Sequence, residues 1–343
     1  MKNFNQLNPI PNELPSRHAD RIGQEYTASI NQKDKKERGQ FFTPVEIASF
    51  MASLSDFKEK SVRILDPGSG IAILSCSLIE HLLQINPSLH SLELVCYETD
   101  LELLPFLHQS LKNLKEWLSN KGVIFNFTVH TEDFILHTAS CLLDSHDLFL
   151  EPIAKFDIVI SNPPYFKLSI DDPRVLAAKV IVNGHPNIYS IFMALSARLL
   201  KENGELIFIT PRSYASGGYF KTFREFFFQL VELTHVHLFV SRRDTFSRDK
   251  VLQETVIIKG IRQHLMLENT VVTISSSAGL KGLDEPKIRT FPKKDILDLT
   301  TKEKILHLPT SDYEESVMDI FKTWSGTLSK YNIKISTGPV VAF

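Results

Sequence analysis

The chain has 343 residues, 43% hydrophobic and 23% charged, which is typical of a soluble globular protein with one large core or a core and a smaller companion. Its 38 Lys and Arg against 40 Asp and Glu give a net charge of −2, so it lacks the basic excess of a small nucleic-acid module. Local basic clusters still allow a phosphate-binding face, because counterion release depends on local contacts. These clusters are Lys33, Lys35, Lys36 and Arg38, and then Arg242, Arg243, Arg248 and Lys250.

Targeting and redox signals are weak. The sequence has no apolar run of about 18 residues or more, and its first residues lack the basic and apolar regions of a signal peptide. Cys76, Cys96 and Cys141 form no C-x-x-C pair. We therefore expect a cytoplasmic protein with reduced thiols and no membrane segment, disulfide framework or zinc site.

Secondary-structure signals begin with a polar segment, residues 1–38, which predicts an arm or lid with some helix near residues 19–31. Thr43 can then cap a helix, Pro44 suits its first position, and Glu46 completes a capping box. Strand and helix patterns alternate after this point. We predict strands at 62–66, 92–98, 123–130, 156–161, 205–210, 233–240 and 254–261, with the last two antiparallel, and helices at 71–85, 101–118, 188–200 and 219–230.

Alternation of this kind predicts an α/β fold, a mixed and mostly parallel sheet with helices on both faces. In such folds, ligands bind beyond the carboxyl ends of the strands. Asp66, Glu98, Asp133 and Asn162 each end or closely follow a predicted strand. We therefore expect these four polar side chains to converge along one edge of the sheet.

The segment from Asp66 to Gly70 (Asp-Pro-Gly-Ser-Gly) joins the first strand to a helix, and its glycines allow the backbone to approach a ligand closely. Taken alone, it is equally compatible with a structural turn. Glu98 can accept two ribose hydroxyls, as in other nucleoside-binding folds. Asp133 and Phe134 add an acceptor for an adenine amino group and a ring to stack on it. A solvated loop acid is the alternative for either carboxylate alone.

The most specific motif follows the strand at 156–161 and consists of Asn162, Pro163, Pro164 and Tyr165. A Pro-Pro loop after a core strand is the structural alternative. With the glycine turn and the upstream segment from Gly39 to Pro44, this tetrad resembles the γ-class adenine-specific DNA methyltransferases of restriction–modification systems. The resemblance runs roughly from Gln40 to Gly260, and the order of the segments matches that class.

The resemblance implies a Rossmann-like S-adenosylmethionine-dependent methyltransferase fold, S-adenosylmethionine as the cofactor, double-stranded DNA as the substrate, and the tetrad as the catalytic residues. It assigns the methionine end of the cofactor to Thr43, Asp66, Gly68 and Gly70, the ribose to Glu98, the adenine to Asp133 and Phe134, and the pocket wall to Phe192. Tyr165 and Phe246 would stack on the flipped base, and the match for Phe246 is the loosest.

The residue types of the tetrad suit transfer to an amino group. An adenine amino group is a poor nucleophile because its lone pair is delocalised into the ring. The Asn162 side-chain oxygen and the Pro163 carbonyl can accept its two hydrogens, which stabilises the positive charge that develops on the nitrogen. Pro164 helps to fix the backbone, and Tyr165 offers a face to the base. This chemistry needs no metal, and it requires the base to leave the duplex stack.

These inferences divide the chain into an arm or lid at 1–38, a catalytic methyltransferase domain at 39–261, and an incomplete target-recognition or linker region at 262–343. Relatives of the class carry a larger recognition region after the catalytic core. We therefore expect a truncated chain or one half of a split enzyme. Its partner would be a separate target-recognition chain or a cognate restriction endonuclease.

Two other functions stay open on the sequence alone. Methyltransferases that act on an RNA base or on a protein glutamine amide use the same tetrad, because an amide nitrogen poses the same chemical problem. The segment from Gly39 to Pro44 and the long region after the core favour DNA. A non-catalytic subunit or fragment that holds cofactor is the other alternative, although the intact tetrad argues against loss of the chemistry.

Overall fold

The structure is a computed structural model, and it comprises two compact units, one ending at His307 and one beginning at Leu308. It describes residues 8–29, 42–143, 155–240, 255–263, 270–280, 282–326 and 328–333. Both basic clusters of the sequence and Phe246 lie outside these residues.

Among the described residues, one sheet in the first unit contains nine strands: β1 (Ser61–Pro67), β2 (Ser91–Tyr97), β3 (Ile124–His130), β4 (Phe156–Ser161), β5 (Leu200–Pro211), β6 (Val231–Phe239), β7 (Thr255–Arg262), β8 (Val271–Ser277) and β9 (Lys287–Pro292). Their order is β3-β2-β1-β4-β5-β7-β6-β8-β9. Strands β1 to β5 are parallel, β7 is antiparallel to both β5 and β6, β8 is parallel to β6, and β9 is antiparallel to β8. The predicted mixed, mostly parallel sheet and its late antiparallel pair are confirmed.

Helices connect and flank these strands. In chain order they are α1 (Pro15–Ser29), α2 (Val45–Ser53), α3 (Ile73–Ile85), α4 (Leu104–Ser119), α5 (Phe134–Leu143), α6 (Pro173–Ala177), α7 (Ile188–Leu199), α8 (Lys221–Phe228), α9 (Lys293–Ile296) and α10 (Asp312–Lys322).

The strands bury side chains on both faces of the sheet. Leu94 and Cys96 of β2 belong to one apolar core together with residues of α1 to α4. Tyr97 points to the opposite face, because successive side chains of a strand alternate. Helix α5 lies on that second face, since the Phe134 ring is 5.1 Å from the Tyr97 ring. Helices therefore cover both faces, as predicted.

The strand order creates a crevice at the carboxyl edge of the sheet. From β1 the chain proceeds to β2 and β3 on one side, and then returns to place β4 on the other side of β1. Connections on the two sides of β1 diverge, which is where open α/β sheets bind ligands. The turns after β1, β2, β3 and β4 all border this crevice.

Helix α1 packs against α3 and α4. The Ser16 amide and hydroxyl donate hydrogen bonds to the Glu80 carboxylate at 2.6 and 2.7 Å. Gly23 permits close packing, because a Cβ at this position would collide with the Ile71 side chain. The helix expected near residues 19–31 is present, and it begins earlier, at Pro15. It is an integral part of the first unit.

Helix α2 begins differently from the sequence-based expectation. Pro44 occupies the N-cap position with an extended backbone, and no side chain caps the helix. The predicted capping box of Thr43 and Glu46 is therefore wrong. Glu46 instead lies 3.5 Å from Arg17 at the surface, and the Thr43 hydroxyl accepts a hydrogen bond from Asn162. The Thr43 hydroxyl therefore bonds to a residue distant in sequence and does not cap α2.

The sheet continues past residue 261, because β8 and β9 extend it beyond β6. In the second unit, Ser311 caps α10, and its hydroxyl accepts a hydrogen bond from the Glu314 amide at 3.3 Å. The domain boundaries at 38 and 261 stay predictions. Across the described ranges, no helix combines the length and the apolar composition that crossing a bilayer requires.

Candidate active site

A cavity of about 470 Å³ opens at the carboxyl edge of the sheet. Its volume lies within the range of about 300–1,000 Å³ that is typical of small-molecule and cofactor sites. Ten of the residues selected from the sequence line it: Gly68, Gly70, Glu98, Asp133, Phe134, Asn162, Pro163, Pro164, Tyr165 and Phe192.

The glycine turn forms one wall of this cavity. Gly68 and Gly70 have left-handed φ angles of +75° and +55°, which side chains rarely tolerate. A Cβ at Gly70 would also lie 3.3 Å from the Phe42 ring, and one at Gly68 would lie 3.7 Å from Phe192. The absence of both side chains therefore keeps the wall open and exposes the backbone to a ligand.

Glu98 is held by the backbone on both oxygens of its carboxylate. Oε2 accepts a hydrogen bond from the Gly70 amide at 3.0 Å, and Oε1 accepts one from the Asp100 amide at 2.8 Å. Burial raises the pKa of Glu98, and hydrogen bonds from the backbone of Asp100, Gly70 and Thr99 oppose that rise. A carboxylate has about four acceptor positions, so Glu98 retains capacity to accept from a ligand.

Asp66 lies beneath the glycine turn and has no exposed surface. Its Oδ2 accepts a hydrogen bond from the Ser75 hydroxyl at 2.6 Å, whereas its Oδ1 has no partner within the described part of the chain. Burial raises the pKa of Asp66 to about 7, and the nearby Glu98 carboxylate adds to the rise. The Ser75 hydrogen bond joins Asp66, near the end of β1, to α3. The assignment of Asp66 to the methionine end of the cofactor stays a prediction.

The two carboxylate oxygens of Asp133 have different partners. Oδ1 accepts hydrogen bonds from the amides of Ile135 and Leu136 at 2.8 and 3.1 Å, which caps the first turn of α5. Oδ2 lies 3.8 Å from Arg174 Nη1. The adenine-acceptor role assigned from the sequence falls to this second oxygen and stays a prediction.

Aromatic rings cover the wall next to Asp133. The ring centre of Phe134 lies 5.1 Å from that of Tyr97 and 5.0 Å from that of Phe192, and all three residues line the cavity. Tyr97 immediately precedes Glu98, so the same strand end supplies an acid and a ring. This arrangement suits a flat heteroaromatic ring attached to a ribose.

The tetrad lies across the cavity from these acids. Ser161 anchors its start, because the Ser161 hydroxyl donates to the Pro67 carbonyl at 2.6 Å and so joins the ends of β4 and β1. Asn162 Nδ2 donates to Thr43 Oγ1 at 3.0 Å. The Tyr165 hydroxyl oxygen lies 2.5 Å from Asn162 Oδ1 and 2.9 Å from the Ile209 carbonyl oxygen.

The single proton of the Tyr165 hydroxyl can serve one of its two acceptors at a time. Burial raises the pKa of Tyr165 well above its ordinary value, so the hydroxyl keeps this proton. The Tyr165 ring meets Tyr189 edge to face at 6.2 Å, which steadies its orientation. Thr43 touches the site through Asn162 and does not itself line the cavity.

The sequence analysis did not select several residues that line the cavity. Asp100 supplies the amide that binds Glu98, and its side chain accepts a hydrogen bond from the Tyr26 hydroxyl of α1 at 2.9 Å. Arg174 is held by Asp172 at 2.6 and 2.8 Å and reaches the cavity near Asp133. The Asp-Pro pair before Arg174 signals a helix start. Its position at the cavity depends on tertiary packing.

His130, Glu132 and His137 lie together near the end of β3, with potential metal-donor atoms within 4.8 Å of one another, and Glu132 lines the cavity. Each already has a partner within the chain. His130 Nδ1 is 3.6 Å from Glu132 Oε2, and the His137 ring hydrogen-bonds with the Tyr97 hydroxyl at 3.1 Å. The expectation that the protein needs no metal stays a prediction.

The two sides of the cavity differ in chemistry. One side presents carboxylates, backbone groups and rings suited to a nucleoside, and the other is lined by Asn162, Pro163, Pro164 and Tyr165. The strand order and the crevice are those of a Rossmann-like α/β fold. A protein of Listeria monocytogenes assigned to the class I S-adenosylmethionine-dependent methyltransferases has the same fold, with a TM-score of 0.56 and 17% identity over 78% of this chain and 73% of that chain.

Sequence comparison then specifies the family. Residues 88–246 match the Eco57I restriction-modification methylase family. The chain is 34% identical over 313 residues to the Type II methyltransferase M.BsuBI of Bacillus subtilis, a match that covers 91% of this chain and 60% of that protein. It is 30% identical over 331 residues to the Type II methyltransferase M.PstI of Providencia stuartii, covering 94% of this chain and 62% of that protein.

The chain is therefore similar to Type II methyltransferases, and its residues 88–246 are similar to the Eco57I restriction-modification methylase family. The resemblance inferred from the tetrad and the glycine turn is therefore confirmed. The chain spans less than two thirds of the length of these two relatives.

Proposed function

We propose that this chain is an S-adenosylmethionine-dependent DNA methyltransferase that modifies the exocyclic amino nitrogen of a flipped-out adenine in a restriction–modification system. The observation that supports this most is that the tetrad and the glycine turn line the same cavity. The Type II methyltransferases related to the chain support DNA as the substrate.

The donors and acceptors of the cavity fit S-adenosylmethionine. Glu98 lines the cavity and can accept from a ribose hydroxyl, and Asp133 Oδ2 lies 3.8 Å from Arg174 Nη1 beside the aromatic wall. Gly68 and Gly70 leave room for the amino-acid end against the backbone. When bound, this cofactor supplies a methyl group on a positively charged sulfur.

The tetrad would make the target nitrogen reactive. Asn162 Oδ1 and the Pro163 carbonyl oxygen accept the two amino hydrogens and so hold the nitrogen in a fixed place. Their partial negative charges oppose the positive charge that grows on the nitrogen as its new bond forms. Because both acceptors are preorganised, little reorganisation is needed during the reaction.

The base itself needs a surface on which to stack outside the duplex. The Tyr165 ring borders the cavity next to the acceptors, and Tyr189 fixes its plane. Phe246 is proposed as the second stacking ring on the basis of the sequence alone.

We further propose double-stranded DNA as the macromolecular substrate, with a separate target-recognition chain or a cognate restriction endonuclease as a partner. This proposal is supported by the similarity of the chain to Type II methyltransferases and to the Eco57I restriction-modification methylase family. Pull-down from the native host with the tagged chain, followed by mass spectrometry, checks for such a partner.

A direct test is to express the chain in a host free of adenine methylation and to sequence the host DNA by a long-read method that detects modified bases. We expect N6-methyladenine in one defined sequence context. Purified chain with radiolabelled cofactor is tested in parallel on duplex DNA, RNA and protein. Label that enters only RNA or protein, or a modified base other than adenine, would contradict the proposal.

A further inference from the structure

Arg174 is a charged residue of the cavity wall that uses only part of its hydrogen-bonding capacity. A guanidinium group has five N–H donors and no acceptor, so it can only donate. Asp172 takes one side of this group, at 2.8 Å from Nε and 2.6 Å from Nη2. Nη1, on the other side, lies 3.8 Å from Asp133 Oδ2, which is beyond hydrogen-bonding distance. Within the described part of the chain, Nη1 therefore donates no hydrogen bond.

The neighbours of Arg174 hold its guanidinium in this orientation. Asp172 is the N-cap of α6 and accepts from the Arg174 amide at 2.9 Å, so the backbone and the side chain of Arg174 bind the same carboxylate. The guanidinium carbon also lies 5.6 Å from the centre of the Phe166 ring. Hydrogen bonds between the two side chains raise the pKa of Arg174 and lower the pKa of Asp172, so both stay charged. Nη1 is thus presented beside Asp133 although Arg174 follows β4 in the sequence.

An adenine ring carries two groups of opposite polarity side by side on one edge. Its amino group donates hydrogen bonds, and the adjoining ring nitrogen N1 accepts one. The carboxylate of Asp133, which the resemblance assigns to the cofactor adenine, can serve the amino group alone, because a carboxylate only accepts. Recognition of N1 requires a donor next to the accepting oxygen, and Arg174 Nη1 has that position.

We propose that Arg174 determines specificity for the adenine of S-adenosylmethionine: its Nη1 donates to N1 while Asp133 Oδ2 accepts from the neighbouring amino group. A hypoxanthine base, with a hydrogen on N1 and an oxygen at C6, would meet both side chains with the wrong polarity. This inference rests on the proposed function and refines it. It assigns Arg174 to binding of the cofactor base and gives it no part in the transfer step.

The test removes the two partners of this hydrogen bond separately and together. Arg174→Met keeps most of the side-chain stem and removes the guanidinium, and the 1-deaza analogue of S-adenosylhomocysteine replaces N1 by CH. The matched control is Arg63→Met, because the Arg63 side chain is also 25% exposed, pairs with Glu93 and lies 4.8 Å from the Phe156 ring, but does not line the cavity. Calorimetry gives the dissociation constants of S-adenosylhomocysteine and of the analogue for the full chain and each variant, and scanning calorimetry gives the melting temperatures.

We expect wild type to bind the analogue about 10-fold more weakly than S-adenosylhomocysteine, because a hydrogen bond to a charged donor is lost. Arg174→Met should weaken binding of S-adenosylhomocysteine by a similar factor. The same variant should bind the two ligands within about twofold of each other, because the donor is already absent. Arg63→Met should behave as wild type with both ligands.

The ratio of the two dissociation constants within one protein is what decides the inference. Any general effect of the substitution on the cavity, or of the analogue on the amino group, is common to both measurements and cancels. An equal ratio in wild type and in Arg174→Met would overturn the inference, because N1 would then have another donor, such as the Phe134 amide.

Equal binding of both ligands by wild type would also overturn the inference, and this result does not depend on the folding of any variant. Failure of the proposed function gives a different result. In that case wild type would bind neither S-adenosylhomocysteine nor its analogue, or would transfer no methyl group to DNA.

Discussion

The two halves of the cavity are held in place by different kinds of contact. On the side formed by β1 to β3, backbone amides bind the carboxylates: Gly70 and Asp100 hold Glu98, and the first turn of α5 holds Asp133. On the side formed by β4, the Asn162 amide is held by two hydroxyl groups, one from Thr43 and one from Tyr165.

Under the proposed function, this difference would separate cofactor binding from methyl transfer. Backbone amides are present whatever the side chains are, so the nucleoside side of the cavity depends on a few carboxylates and glycines. The acceptor side depends on individual hydroxyls, each of which one substitution removes. We therefore expect variants on the β4 side to change the rate of transfer, and variants on the β1 to β3 side to change cofactor affinity.

Asn162→Ala gives the largest expected effect. Loss of one preorganised hydrogen-bonding group for a developing charge slows a reaction by about 100- to 1,000-fold. Cofactor affinity should change by less than about threefold, because Glu98 and Asp133 stay in place. Single-turnover kinetics and calorimetry measure the two quantities. A loss of cofactor affinity as large as the loss of rate would show that binding and transfer do not depend on separate sides of the cavity.

Glu98→Ala should show the opposite pattern. Removing an acceptor for two ribose hydroxyls should weaken cofactor binding by about 10- to 100-fold. The rate at saturating cofactor should fall much less. Glu93→Ala serves as the control, because Glu93 lies on β2, which Glu98 directly follows, and its half-exposed side chain pairs with Arg63 away from the cavity. Equal losses of affinity in both variants would contradict the assignment of Glu98.

Asp66→Asn gives the smallest effect, which appears in stability. Burial raises the pKa of Asp66 to about 7 from an ordinary value of 3.8, so the folded state binds the proton more tightly than the unfolded state. Wild-type stability should then fall as the pH rises from about 4 to about 7 and should level off above that range. Asn cannot ionise, so the variant should lack this loss.

The melting temperature of Asp66→Asn minus that of wild type should therefore be higher at about pH 8 than at about pH 4, by roughly 3–10 °C. Scanning calorimetry across this range measures the difference. A difference that does not vary with pH would mean that Asp66 does not titrate in this window. Asp66 would then lack the raised pKa on which this prediction depends.

The sequence by itself determined the alternation of strands and helices in a mostly parallel sheet and ten of the residues that line the cavity. Glu98 and Asn162 could be found because each directly follows an apolar strand, and the carboxyl ends of parallel strands meet at one edge. Gly68 and Gly70 could be found because a strand-to-helix turn with left-handed φ angles selects for glycine. These are local rules, and a linear pattern expresses them directly.

The tertiary structure alone decided which groups hold these residues. Thr43 has the local pattern of a helix cap, yet its hydroxyl accepts from Asn162. Arg174 and Tyr97 carry no motif, yet both line the cavity. The physical reason is that a hydroxyl or guanidinium has many partners of similar energy. Packing of distant segments selects one of them, and no periodicity or spacing along the chain records that choice.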